Sequence, residues 1–446
     1  MQWKGERLAL KTLGPQRKSC NALGTTRSTW FAEMFPGEKF VCIITAKNGA
    51  FPKKAPRSFE KPGYLDCRRL PPGTNPVSSH HPRNRSAMSP DSLFTPVTLG
   101  SLELKNRIMM APLTRCRADA EHNPTELAVE YYAQRASAGL LIAEATMAMA
   151  GNSAFGGREP GIYSPTQIAA WKKVTAAVHA KGGKILLQIW HGGRACHSLL
   201  NKGKPPVGPS PLRIENDETH TPQGKKPYEI PRALSDDELP GIVAGFRQAA
   251  LNAKMAGFDG VEVHGANGYL LDEFLRSSSN QRSGPYGGPI ANRARLLLEV
   301  VDAVCGVWGA GRVSVRLSPL NSFNFMKDED PVGLTTYVAA QLSQRKIAFL
   351  HLMRGDFFGV QKGDVMTPAR AAFAGPLVGN MGYTPEEAAA AVAAGTLAAV
   401  AFGHYFISNP DLVERVRRGV ALTEPDAKTF YSPGPKGYTD YSTLPG

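Results

Sequence analysis

Residues 264–275 read HGANGYLLDEFL, placing a histidine, an asparagine and a tyrosine at offsets of zero, three and five behind the run GVEV. The intervening glycines let the backbone turn where a side chain would clash. Other polar groups stand inside or just past similar runs: Thr114, Gln188 and Arg316, beside His264 and Asn267. This set is mostly neutral donors and acceptors, with one guanidinium. It lacks the paired carboxylates of glycoside hydrolysis and a lysine placed for a Schiff base. His191 and His197, six apart in a loop, read as ordinary loop histidines rather than metal ligands. Such a set suits a planar heterocycle with amide-like edges. Thr114 and Gln188 can donate and accept along a pyrimidine edge, and Arg316 can stabilise negative charge on it. Two glycine-rich turns, VGNMGYTPEE and AFGHYFISNP, open helices further on. Backbone N–H groups around Asn380 to Gly382, and at Gly403 and His404, can hold a phosphate there. Together these features point to flavin mononucleotide (FMN).

Such groups need strand ends to carry them. Eight β-rich runs are legible: 107–113, 140–146, 184–190, 260–264, 313–318, 349–354, 376–380 and 397–403. Amphipathic stretches at 126–137, 166–181, 236–256, 292–308, 335–345 and 385–394 fall between them. Strand–helix alternation carried to eight predicts an α/β fold, a parallel (β/α)8 TIM barrel whose strand C-termini gather the polar residues. An open doubly wound sheet fits less well, because no GxGxxG follows the first run. Thr384-Pro385-Glu386-Glu387 carries a capping box with proline at the first helical position. Asn409-Pro410 repeats the cap-plus-proline pattern before DLVERVRRG. Residues 355–374 show no helix, so that crossover is expected to be irregular. The Pro-, Gly- and charge-rich segment 192–231 is expected to lie over the barrel mouth.

The chain has 446 residues and a formal charge of +14. Residues 1–87 hold sixteen Lys+Arg against five Asp+Glu, so nearly all the excess lies in that extension. The barrel portion, 88–446, is close to neutral, which argues against a nucleic-acid partner. The extension mixes Pro, Gly, Ser, Lys and Arg without periodicity and reads as disordered or irregular, as a transit segment, or as translation upstream of a start at Met88. Six cysteines are scattered without a CxxC, and no apolar stretch is long enough to span a bilayer. A reducing, cytoplasmic setting is expected, with organellar import through the extension as the alternative.

From about residue 92 to 441 the chain resembles the old yellow enzyme family of FMN-dependent ene-reductases, including its 12-oxophytodienoate reductase and N-ethylmaleimide reductase branches. APLTR, QIWHGGR, HGANGYLLDEFL, YGGPIANRAR, VRLSP, FISNPDL and GYTDY occur in the family's order. The resemblance implies that Pro112 and Thr114 contact the flavin, with Ala145 facing its ring. It implies that Gln188 and Arg316 hold the pyrimidine. His264 and Asn267 would bind the carbonyl or nitro oxygen of an electrophilic alkene, and Tyr269 would deliver a proton. Trp190 and Tyr438 would lie near the substrate. Hydride would pass from flavin N5 to the alkene's β-carbon after reduction by NAD(P)H. The protein would work as a monomer or homodimer on small molecules.

Three positions depart from the pattern. His404 stands where many relatives carry an arginine on the FMN phosphate. NQRSGPYGG lacks the aspartate often found before YGG, and Phe155 stands where a substrate-facing tyrosine is common. His404 motivates an alternative reading, a weakened flavin-binding barrel with little catalysis.

Overall fold

The computed structural model describes residues 90–445. The expectations for residues 1–87, as disordered, transit or mis-started sequence, lie outside the described residues.

Eight strands close a parallel barrel, each paired with the next in sequence and the last with the first. They are β1 Ile108–Met110, β2 Leu140–Met147, β3 Ile185–Trp190, β4 Gly260–Gly265, β5 Val313–Leu317, β6 Phe349–Met353, β7 Leu377–Asn380 and β8 Ala399–Phe402. All eight fall on the expected runs. Period-two alternation divides each strand between two environments. On β4, Val261 and Val263 join the layer shared with the surrounding helices, alongside Phe246 and Leu297. Glu262 and His264 alternate with them and turn inward. Burying each such valine contributes roughly 1.5–3 kcal/mol, so the register that faces Glu262 inward is strongly fixed.

The barrel's N-terminal end is closed by a hairpin of Val97–Leu99 and Leu102–Leu104. Leu99, Leu102 and Leu104 pack on inward residues Met109, Leu140, Ile142, Leu186 and Phe349. At its tip Gly100 has φ +61°, and a Cβ there would sit 2.5 Å from the Gly311 carbonyl. Only glycine fits.

Eight principal helices surround the strands: α1 Glu126–Gln134, α2 Pro165–Ala180, α3 Leu239–Met255, α4 Arg295–Trp308, α5 Pro331–Gln344, α6 Met366–Ala372, α7 Pro385–Ala393 and α8 Leu412–Arg418. Capping boxes start α2 at Ser164/Gln167 and α7 at Thr384/Glu387, each with proline in the first turn. A cap of this kind is worth about 1 kcal/mol. Two expectations need correction. The crossover at 355–374 does contain a helix, α6. Its Pro368 occupies the first turn, where N–H groups have no intrahelical acceptor, and Asp364 accepts from Met366 N and Thr367 N. Asn409-Pro410 does not start α8. Asn409 instead ties to both Thr423 N and Thr423 O, and Asp411 takes the cap position.

Segment 192–231 contains short 3₁₀ turns and a hairpin of Glu218–Thr221 with Gly224–Pro227. It lies at the barrel's C-terminal end, where Arg194 N donates to Glu273 Oε1 and Thr219 Oγ1 to Ala154 O. No helix among the described residues is long and apolar enough to cross a membrane.

Candidate active site

Strand register brings the polar residues together. Gln188 on β3 stands opposite Glu262 on β4, His264 opposite Arg316 on β5, and Arg316 opposite His351 on β6. Gln188 Nε2 donates to Glu262 Oε1 at 2.8 Å, and Glu262 Oε2 lies 2.8 Å from His351 Nδ1. Burial, above all, holds His351 below its usual range. The ring is therefore neutral, and its Nδ1–H donates to Glu262 Oε2. Arg316 Nη2 donates to Asn380 Oδ1 at 2.9 Å, while Asn380 Nδ2 donates to Ala401 O. Arg316 Nη1 reaches Pro112 O at 3.5 Å, joining the segment after β1 to this wall.

After β4 the chain turns through Asn267 (φ 57°) and Gly268 (φ 68°). Asparagine tolerates the left-handed region better than most residues. At Gly268 a Cβ would meet Met326 Cγ at 2.6 Å and Asn324 Cβ at 2.7 Å. The turn sets Tyr269 at the start of a short helix, Leu270–Leu275. Its ring centroid lies 5.3 Å from that of His264 and 5.1 Å from Trp190, edge-on to both. Phe155 adds a third aromatic contact at 6.1 Å. A register shift in β2 between Ala143 and Thr146 brings Ala145 and Met147 into the same cluster.

Two groups here have defined protonation. His264 is held well below its usual range by burial first, then by Arg316 and His351. Its Nδ1 accepts from Ala266 N at 3.3 Å, which leaves the proton on Nε2. Burial, followed by Tyr228 and Tyr431, pushes the Tyr269 phenol well above its usual range. Both are neutral donors near neutral pH.

The donor set fits a flavin. Arg316 Nε and Trp190 Nε1 are buried donors with no partner among the described residues. The hydroxyl of half-buried Thr114 likewise makes no hydrogen bond among them. After β7, Met381 and Gly382 adopt φ 81° and 67°, a left-handed turn. Arg354 fixes this turn by donating to the carbonyls of Met381 and Gly382 and to Glu387. After β8, Gly403 packs near Leu113, where an added Cβ would stand 3.2 Å from its side chain. His404 is exposed, and its Nε2 lies 3.1 Å from Glu424 Oε2. Its ring is thus engaged by a carboxylate.

One expected site residue lies elsewhere. Tyr438 is fully buried, stacked on Tyr131 at 4.0 Å with Arg117 4.4 Å above its ring. Arg115 and Arg117 cause this by taking the carbonyls of Thr429, Phe430, Gly434, Lys436 and Gly437, which folds the C-terminal tail back onto the helix layer. Tyr431, seven residues earlier, is the tail tyrosine whose charge contributes to raising the Tyr269 pKa. Tyr431, Tyr228, Glu262, His351 and Arg354 were all missed from the sequence. The two loop histidines act locally, with His191 Nδ1 and His197 Nδ1 accepting from Gly193 N and Leu199 N.

A closed parallel barrel whose mouth gathers Gln188, Arg316, His264 and Asn267 fits the class of FMN-dependent oxidoreductases that use NAD(P)H as reductant, to which the comparisons assign the chain. The sequence comparisons place it. Residues 92–423 match the NADH:flavin oxidoreductase / NADH oxidase family, and the chain belongs to that family. It is 48% identical over 361 residues to a "Probable flavin mononucleotide-dependent alkene reductase" of Leishmania infantum, covering 80% of this chain and 98% of the relative. It is 40% identical over 372 residues to 12-oxophytodienoate reductase 1 of Oryza sativa subsp. japonica, covering 82% and 96%. Among solved structures, morphinone reductase aligns with TM-score 0.76 and 46% identity over 79% of this chain and 96% of its own. The old yellow enzyme from Trypanosoma cruzi aligns with TM-score 0.77 and 42% identity over 80% and 99%.

Proposed function

We propose that the protein is an ene-reductase that reduces the activated C=C bond of α,β-unsaturated carbonyl or nitro compounds. The observation that carries this reading is the juxtaposition of His264, a neutral Nε2–H donor, with Asn267 and the protonated Tyr269 beside it. Pro112, Thr114, Ala145, Gln188 and Arg316 would hold the isoalloxazine, and backbone N–H groups at Met381, Gly382, Gly403 and His404 the phosphate. Bound FMN, reduced by NAD(P)H, would supply the hydride that the alkene's β-carbon receives.

The protein's part is to stabilise charge and deliver a proton. His264 Nε2 and Asn267 Nδ2 donate to the activating oxygen as negative charge grows there, each contributing about 3 kcal/mol if well aligned. Tyr269 gives its phenolic proton to the α-carbon. Its raised pKa keeps that proton available through the neutral range. Trp190 and Phe155 form an apolar wall that excludes water from the reacting carbon.

Anaerobic stopped-flow kinetics of Tyr269→Phe test the assignment. Reoxidation by cyclohexenone is expected to slow by about 10²-fold or more, while flavin reduction by NADPH changes little. Equal slowing of the two half-reactions would remove Tyr269 as the proton donor. A flat profile for alkene reduction is expected across neutral pH, since His264 is already neutral and Tyr269 still protonated.

A further inference from the structure

We infer that Asn321, which follows β5 and lies outside the set assigned above, is a positioning residue that fixes which end of the Asn267 amide faces the substrate. The inference rests on the reading that Asn267 grips the activating oxygen.

The two ends of a carboxamide have nearly the same shape, and only their partners decide which one points where. Here the decision starts from a group with no ambiguity. The backbone N–H of Phe357 can only donate, and it lies 3.2 Å from one terminal atom of Asn321. That atom must be the carbonyl oxygen, so the other is the NH₂. The Asn321 NH₂ stands 2.9 Å from the terminal atom of Asn267, which must accept and is therefore Oδ1. With its oxygen taken, Asn267 is left to present Nδ2, which has no protein partner among the described residues.

Asn321 is 0% exposed, so no water competes for its two bonds. The backbone of Asn267 is pinned as well. Its N–H donates to Ser318 Oγ at 2.7 Å, and its carbonyl accepts from Asn324 Nδ2 at 3.0 Å. The start of the relay is held by Asp356, whose Oδ1 accepts from both Ser322 N and Ser322 Oγ at 2.8 Å. Its Oδ2 accepts from Val360 N and Gln361 N, which closes the loop around Phe357. The loops after β4, β5 and β6 thus share one hydrogen-bond path that ends on a substrate-binding donor. Reversing the Asn267 amide would set a carbonyl oxygen against the substrate oxygen, replacing attraction with lone-pair repulsion.

The test uses the FMN-loaded full chain and p-hydroxybenzaldehyde, whose dissociation constant is read from the long-wavelength charge-transfer absorbance. Asn321→Asp keeps an acceptor for Phe357 N–H but turns an acceptor toward Asn267, inviting the reversed amide. At roughly pH 8, where an ordinary carboxyl is ionised, binding should weaken about tenfold or more, the loss of one charge-assisted hydrogen bond. Asn321→Ala should weaken it less, because the amide is then free to rotate rather than reversed. FMN affinity should not change in either variant. Asn321→Asp in an Asn267→Ala background should add no further loss. If Asn321→Asp does not fold, the alanine variant and its double mutant with Asn267→Ala carry the test. Wild-type affinity in the Asn321 variants, alongside weakened binding in Asn267→Ala, would overturn the role of Asn321 and leave the active-site reading standing. Unchanged binding in Asn267→Ala would overturn the reading itself.

Discussion

Gln188 donates from Nε2 to Glu262 Oε1 across 2.8 Å inside the barrel. Because a carboxylate only accepts, this bond fixes the amide, leaving Gln188 Oε1 and the second N–H for the pyrimidine edge proposed to bind there. His351 holds the other carboxylate oxygen, so Glu262 sits between two donors with no water. This buried carboxylate lies behind the wall proposed to hold the flavin, with Arg316 nearby.

Glu262→Gln keeps the shape and an acceptor for Gln188 while removing that charge. A reduced flavin is the more negative form, so the substitution should raise the midpoint potential. The measurement is an anaerobic dye-equilibrated titration. A potential that does not move would mean that Glu262 is felt only as a hydrogen-bond acceptor.

The tail tyrosines give a paired prediction. Tyr431→Leu should change KM for a bulky enone several-fold, because this exposed tail tyrosine lies close enough to raise the pKa of Tyr269. Tyr438→Phe should leave kinetics unchanged and keep or raise the melting temperature. Its hydroxyl is buried without a partner among the described residues, and removing an unsatisfied polar group is neutral or favourable. The reverse pattern, with KM following Tyr438, would restore the assignment expected from the GYTDY motif.

That pair also shows what the sequence made legible. Apolar alternation located all eight barrel strands to within a few residues, since a one-residue slip would expose a buried face. Thr114, Gln188, His264, Asn267 and Arg316 were read as one set, because polar residues at strand ends must converge on one rim once the barrel closes, whereas Asn380 was read only for a phosphate turn and its side-chain bond to Arg316 was not. Tyr438 and Tyr431 are both aromatic residues in the same irregular tail. Their separation depends on Arg115 and Arg117, more than three hundred residues away, taking particular backbone carbonyls. Side chain–backbone bonds at that range leave no periodic trace. The polarity of Asn267 is illegible for the same reason, being set by a main-chain N–H two loops away. The α6 helix was missed because Thr367-Pro368 reads as a breaker when the helix start is unknown.

His404→Arg should tighten FMN binding. In the wild type the ring at this position is exposed and engaged by Glu424. An arginine adds a permanent charge and a forked donor, and one charge-assisted hydrogen bond is worth about 1.5–3 kcal/mol. The dissociation constant, from fluorescence quenching of FMN titrated with apoprotein, should fall about tenfold or more. An unchanged constant would assign phosphate binding to backbone donors alone and remove the weakened-cofactor alternative.

The carboxylate that anchors segment 192–231 carries a pH prediction. Glu273 is fully buried, and desolvation pushes its carboxyl up to about 8 despite Arg194 and the Arg194 N–H bond. The folded pKa therefore lies above the unfolded value of 4.5. Its stabilising contribution is complete below the unfolded pKa and is lost as pH rises through the folded one, because only the unfolded chain ionises freely in between. Asp272 and Glu144, raised to about 6 and about 7, act in the same direction. Glu273→Gln keeps the acceptor for Arg194 N and removes the ionisation. Melting temperature in the variant should therefore fall less than in wild type between mildly acidic and mildly alkaline buffers. Parallel curves would mean that Glu273 is ionised in the folded protein throughout, with Arg194 holding it more strongly than burial opposes it.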